Sequence, residues 1–282
     1  GEQTWQITAD KDATTSGAQT GTKKDAKVGK DDKVQLIAGE NLTVNQNERD
    51  FTYSLNKDLV KMNSATFEAT GGKTTVITGD SIAQTDGTKT NRSTAAGNTV
   101  ADGTKSTETT AASQVIKDGA KTNTSTVDEN TLVDGAKSNK TTVDSNVIDD
   151  GNGNVNTSNA TSNTIANGAN STATNAAGTT VTSANGNTNY TADGVRINTT
   201  GKNPVSLTDA GLDNGNNVIK NVASGHVNND DTDNTNAANI ADVKKATTTV
   251  TANNGEAANA TTGNVTLTST TAADGHTIYD VK

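Results

Sequence analysis

The residues able to do chemistry are few, and their spacing argues against catalysis. The chain holds two histidines and no cysteine. His226 and His276 each sit in a polar, glycine-containing stretch. A metal centre would need further ligands at fixed geometry, so both read as loop residues. The absence of Cys removes disulfides and thiol nucleophiles and leaves the compartment open. Asp-Gly dipeptides recur along the chain, but the Gly-Gly-x-Gly-x-Asp nonapeptide of calcium-binding β-rolls is absent, which favours turn chemistry. No Gly-x-Ser-x-Gly elbow or phosphate-binding loop occurs, and the carboxylates fall mainly in turns rather than in pairs. A non-enzymatic chain without cofactor or metal is expected.

The cations offer more. Lys89, Lys105, Lys121 and Lys137 recur at a constant spacing of sixteen positions. They form a candidate ligand stripe for acidic glycans or matrix proteins. The plainer role is solubility and protection of strand edges. Trp5 could stack on a sugar, but in a chain with one Trp, three Tyr and two Phe a core or ring position suits it better. Sequons such as Asn41-Leu-Thr43 offer glycosylation and also arise by chance in an Asn- and Thr-rich chain.

The scaffold that positions these residues is short of apolar material. Leu, Ile, Val and Phe total 43 of 282 residues, about 15%, below the ~20% expected of a packed core. Disorder would follow from that alone. However, Val and Ile number 33 against 8 Leu, there is one Pro, and the net charge is only -9. Abundant β-branched residues suit a pleated surface. An acidic chain is a poor partner for nucleic acid. No run of 18 apolar residues exists to span a membrane as a helix.

Between residues 73 and 198 the chain is periodic, a feature to be sought before any motif. Asp86-Gly87, Asp102-Gly103, Asp118-Gly119, Asp134-Gly135 and Asp150-Gly151 recur every sixteen positions, and Asn167-Gly168 follows after seventeen. Two residues before most of them stands an aliphatic side chain, giving the series Val100, Ile116, Leu132, Ile148, Ile165, Val181 and Ile197. A second series runs five residues earlier: Ala95, Ala111, Val127, Val143, Ala160, Ala176 and Ala192. Ile77 and Ile82 read as an irregular first rung. The pattern predicts two strands and two turns per rung, with Asp-Gly supplying positive φ. The turns are expected at residues 128–130 and 134–135 of the best-defined rung. Both aliphatic series are expected to point inward. Two small apolar side chains per rung cannot offset the entropy of ordering that rung. The repeat therefore predicts that identical copies pool their apolar residues along a shared axis.

The flanks differ. Val34 and Leu36, Leu42 and Val44, and Phe51, Tyr53 and Leu55 alternate with polar residues and predict three strands, with Trp5 and Ile7 as candidates for a fourth. Residues 56–62 predict a short helix. Gly263 to Leu267 and Thr277 to Val281 partly repeat Gly39 to Val44 and Phe51 to Leu55. Near residue 240, Asp233 or Thr235 is expected to cap a helix that places Ile240 and Val243 at a and d positions of a coiled coil.

Here the sequence resembles the trimeric autotransporter adhesins. Residues 211–246, with Val218-Ile219-Lys-Asn-Val222-Ala-Ser-Gly225 and Asn236-Ala-Ala-Asn-Ile240-Ala-Asp-Val243-Lys244, resemble the neck of that family. Residues 1–62, with Trp5 and Phe51-Thr-Tyr-Ser-Leu55, resemble the Trp-ring head of Hia-type members. Residues 73–198 lack the small-residue β-roll motif of YadA-like heads. The resemblance implies a homotrimer on a Gram-negative cell surface, attachment to host cells or extracellular matrix, and Val218, Ile219, Val222, Ile240 and Val243 on the trimer axis. It also implies a signal peptide and a C-terminal outer-membrane anchor outside this segment. The expected architecture is mainly β: an intertwined homotrimeric fibre of stacked 16-residue repeats, as β-prism or β-roll, with a coiled-coil neck. Its expected divisions are a head module over 1–72, the repeats over 73–198, the neck over 199–246 and the start of a second head-like module over 247–282. The main alternative is a trimeric phage tail fibre or tailspike that binds surface glycans. An ice-binding solenoid is a third, weakened by the uneven Thr spacing.

Overall fold

The computed structural model describes residues 1, 3–226, 234–248, 250–252, 256–257, 265–273 and 275–282. The protein is mainly β, with one short helix among the described residues. It divides into two units, Gly1–Ala160 and Thr161–Lys282.

In the first unit, Trp5–Ile7 pairs with Ala26–Val28, and Leu42–Asn47 forms a hairpin with Asp50–Leu55. The strand expected near Val34 and Leu36 does not form. Nor does the helix expected over 56–62. There the Asn41 side chain grips Val60 instead, accepting from its N–H at 2.8 Å and donating to its carbonyl at 2.9 Å. A local helical preference of one or two turns is too weak to resist such a clamp.

The rest of the unit is an antiparallel meander of twelve strands from Ser64–Ala69 to Asn154–Asn159, nearly all six residues long. Each strand pairs antiparallel with its sequence neighbours. The rung is thus a hairpin, not a coil that stacks in parallel on the rung before, and a β-roll is not formed. In the second unit seven strands from Ser162–Asn167 to Gly211–Asp213 continue the same plan.

Two kinds of turn make the rung. At one sheet margin of the first unit the loops that follow Asp86, Asp102, Asp118 and Asp134 are two residues long with Gly first, as in Gly135-Ala136, and Gly135 has φ 60°. Glycine at the first loop position is what the II′ hairpin turn requires. At the other margin the loops that follow Thr94, Thr110, Thr126 and Thr142 hold no glycine. Thr126 instead folds its hydroxyl back to accept from the N–H groups of Asp128 at 3.2 Å and Glu129 at 3.1 Å. Thr94, Thr110 and Thr142 do the same in their rungs. This side-chain substitute for a backbone turn recurs once per rung and is absent from the expectations above.

In the second unit Ile240–Lys245 is helical and Asn239 is its N-cap, not Thr235; Asp233 lies outside the described residues. Asn239 Oδ1 accepts from Asp242 N at 3.0 Å, and Asp242 Oδ2 accepts from Asn239 N at 3.1 Å, a reciprocal capping box. Leu267–Thr271 pairs with Thr277–Val281, so both head-like segments end in a hairpin. Their registers differ by two residues: Val44 opposes Tyr53, whereas Leu267 opposes Val281 and not Tyr279.

Candidate functional site

The pairing register sorts the repeat onto two faces. Residues directly opposite in an antiparallel sheet share a face. One row runs Phe67, Thr75, Gln84, Asn91, Val100, Thr107, Ile116, Asn123, Leu132, Asn139, Ile148 and Asn156. In the second unit the corresponding row is Ile165, Thr172, Val181, Thr188, Ile197 and Val205. Aliphatic residues therefore alternate with Asn or Thr from strand to strand. The series Val100 to Ile197 falls on these rows as its spacing predicts. The register equivalent of Val100 one rung earlier is Gln84, so Ile82, which lies opposite Ser93, is not the first member.

The second series lies elsewhere. Ala95, Ala111, Val127, Val143 and Ala192 occupy the loops that a Thr side chain closes, Ala176 occupies a loop closed by the Asn175 side chain instead, and Ala160 follows the strand Asn154–Asn159. Val127 and Val143 are 97% exposed. Recurrence at a fixed spacing marks an equivalent position, and here that position is a loop rather than the sheet's inner face. The face opposite the aliphatic row instead carries Thr99, Val115, Thr131 and Val147, set among Arg92, Glu108 and Lys140.

Among the described residues nothing covers the aliphatic row fully. Val100, Ile116, Leu132, Ile148, Ile165, Val181 and Ile197 are between 44% and 56% exposed. Among the described residues only Val28 and Leu267 are buried apolar side chains. Two depressions follow the row in the first unit, of about 740 Å³ beside Val100 and Ile116 and about 610 Å³ beside Ile116, Leu132 and Ile148.

Along the same face, two residues from the aliphatic row, runs a row of charges. Lys89 lies between Asp86 and Asp102, Lys105 between Asp102 and Asp118, and Lys121 between Asp118 and Asp134; Lys137 opposes Asp134. The candidate stripe is therefore not a positive stripe. Four lysines alternate with four aspartates and cancel. Lys121 approaches Asp134 at 3.5 Å, and Lys73 extends the ladder to Asp86 at 3.2 Å. Exposed pairs of this kind contribute ~0–1 kcal/mol each. Thr88 and Thr104 donate to Asp102 at 2.8 Å and to Asp118 at 3.0 Å, tying each Gly turn to the next. On the opposite face a hydrogen bond from Lys140 holds the Glu129 carboxyl below the usual range.

The neck-like segment is built on a buried carboxylate. Asp242 is 1% exposed. It accepts from the Ser224 hydroxyl, from Gly225 N at 2.8 Å and from Asn239 N at 3.1 Å. These bonds, the Ser224 hydroxyl foremost, lower its pKa. Asn239 also donates to Val222 O at 3.1 Å, so residues 222–225 are tied to the first turn of the helix. The spacing Asn239-x-x-Asp242 carries this signal in the sequence. Around it Val218, Ile219, Ile240 and Val243 are exposed, and Val222 is half-buried. Trp5 is half exposed on its two-stranded ribbon. His226 lies in a left-handed turn with its N–H on Ser224 Oγ at 3.2 Å. Among the described residues no group of three His, Asp or Glu side chains is arranged to hold a metal ion.

No protein-family model, curated protein or solved structure matches the chain.

Proposed function

We propose that this chain is a structural and adhesive segment of a homotrimeric fibre on a bacterial surface, attaching the cell to host tissue or matrix and spacing the parts of the fibre on either side of it. The observation that carries this reading is the aliphatic series from Val100 to Ile197, each member of which is about half exposed. A meander with so little interior of its own gains its stability when other copies cover that row. The capped helix and its Asp242 clamp suit the role of a neck, with Val218, Ile219, Val222, Ile240 and Val243 facing the other copies. The resemblance of residues 1–62 and 211–246 to trimeric autotransporter adhesins supports the number three, the surface location and the host partner. An outer-membrane anchor would then belong to a part of the protein outside this segment.

The test is binding of the purified protein to cultured epithelial cells and to immobilised collagen, fibronectin, laminin and heparin. Saturable binding to a cell or matrix component supports an adhesive segment. Absence of binding to all of them, with the assembly intact, contradicts it and leaves a spacer.

A further inference from the structure

We propose that the depression around Arg196, on the sheet face away from the aliphatic row, binds a carboxylated sugar. The guanidinium pairs with the sugar carboxylate and the side chains around it take the sugar hydroxyls. This names a ligand class for the proposed adhesive segment and rests on that reading.

Arg196 is the one charged residue in the strands from Ser162–Asn167 to Val205–Thr208. The register sets it between Asn189 and Ser206. Its Nε donates to Asn198 Oδ1 at 2.9 Å. Asn198 is held in turn, because its Nδ2 donates to Asn187 Oδ1 at 2.9 Å and to Asn189 Oδ1 at 3.0 Å. Asn189 Nδ2 then donates to Thr180 Oγ1 at 2.9 Å. The three asparagines are half-buried, whereas Arg196 is exposed. The amide chain therefore fixes the Nε edge of the guanidinium and leaves both Nη groups unpaired among the described residues. The lysines of the first unit differ, since each of them faces an aspartate across the ladder. Arg49 and Arg92 have no orienting side-chain bond among the described residues.

The head of Arg196 borders a hollow of about 330 Å³. Asn189, Arg196 and Ser206 line one row of it, and Thr191, Gly194 and Thr208 the next. Gly194 adds no side chain between the two threonines, so the hollow stays open. Its volume is at the lower end of the ~300–1,000 Å³ of small-ligand sites, which suits a single sugar unit. The two Nη groups of a guanidinium match the two oxygens of a carboxylate. Ser206, directly across from Arg196, has a hydroxyl with no partner among the described residues. Asp193, in the loop beside the hollow, is an acceptor for a sugar hydroxyl. Asp193 and, beyond Ser206, Asp213 also place two carboxylates near the cation. They disfavour a dense polyanion and select a ligand with one carboxylate among hydroxyls. The lining rows offer amides and hydroxyls rather than apolar contact, which suits a polyol better than a peptide. Thr188, Ile197 and Val205 lie on the opposite side of the same strands, so covering the aliphatic row leaves the hollow open.

The full chain is titrated calorimetrically with 3′-sialyllactose, a hyaluronan tetrasaccharide, lactose and a glutamate-containing peptide. Saturable binding of one or both carboxylated sugars is expected, and the pair identifies whether a sialic acid or a uronate is taken. Lactose is expected not to bind. Arg196→Gln is expected to weaken binding at least about tenfold. Arg196→Lys is expected not to restore it, since a point charge lacks the planar fork, and Arg92→Gln is expected to leave it unchanged. Circular dichroism checks the fold of each variant. Esterifying the sugar carboxylate is expected to abolish binding to the unsubstituted protein, a test that needs no variant. Failure of both carboxylated sugars to bind, retained binding of the ester, or unchanged affinity in Arg196→Gln would overturn the site. Peptide binding as tight as sugar binding would overturn the ligand class. Cell or matrix binding by a protein that takes neither sugar would overturn the site and leave the adhesive reading intact. Sugar binding lost in Arg196→Gln, with no cell or matrix binding by the unsubstituted protein, would support the site and contradict the adhesive reading.

Discussion

Leu132→Ala separates a covered row from a bare one by magnitude. Leu132 is about half exposed in the single chain, and full burial of a Leu side chain is worth ~1.5–3 kcal/mol. If nothing covers the row, truncation removes only the buried half and costs about 1 kcal/mol. If other copies cover it, the side chain is fully buried and truncation also leaves a cavity, so the cost rises to about 2–5 kcal/mol per chain. Val127→Ala is the internal control. Its side chain is 97% exposed in a loop, and substitutions at such positions stay within about 0.5 kcal/mol. The assay is denaturant unfolding followed by circular dichroism at several protein concentrations. A shared core makes the midpoint rise with protein concentration. It also makes Leu132→Ala costlier than Val127→Ala by about 2 kcal/mol or more. A concentration-independent midpoint with a Leu132→Ala loss near about 1 kcal/mol would refute the reasoning.

Other expectations follow from the turns, the neck and the ladder. Replacing Thr126 by Val removes the acceptor of two loop N–H groups and is expected to cost ~1 kcal/mol, read as a lowered unfolding midpoint. Gly186→Ala is expected to cost about 2–4 kcal/mol, because φ is 137° and a Cβ would lie 2.0 Å from Asn198 O; an unchanged midpoint would show that the strand entry relaxes freely. Because the Asp242 pKa is lowered on folding, its contribution is fully present above the ordinary Asp value near 4 and is lost as pH falls through the lower folded value. The amide resonances of Gly225 and Asn239 should therefore titrate with a midpoint below that of an ordinary Asp, and a midpoint at or above it would contradict the clamp. Replacing Lys89, Lys105, Lys121 and Lys137 together with Gln is expected to leave heparin binding unchanged, since the ladder is neutral; abolished binding would restore the lysines as a ligand stripe.

Much of the repeat was legible in the residues, and what was not had identifiable causes. The Asp-Gly dipeptides at Gly87, Gly103, Gly119 and Gly135 mark the II′ turns because only glycine adopts their φ cheaply, and the Val100 to Ile197 series marks a sheet face in each unit. The Ala95 to Ala192 series falls outside the strands rather than on the sheet face with Val100, because periodicity states that a position recurs, not which way its side chain points. The strand parity became readable only with the register Val100↔Thr107↔Ile116. The Lys stripe was legible but incomplete, since the aspartates that interleave it belong to the preceding and following strands. The Thr-based turns left a signal at Thr94, Thr110, Thr126 and Thr142 that a Thr-rich background concealed. Residues 56–62 had helical composition, but the Asn41 amide, far back along the chain, claimed the Val60 backbone. The cap at Asn239 was missed because Asp and Thr lie nearby and their rank as caps is similar. The Ser224–Asp242 clamp joins residues 18 apart, a separation beyond any local pattern.

The measurement that bears most directly on the shared core is the solution mass of the unsubstituted protein by sedimentation equilibrium. The account predicts a trimer of 28.7 kDa chains, about 86 kDa, with a β-rich circular dichroism spectrum. A folded, β-rich species that remains at 28.7 kDa across the concentration range would contradict it.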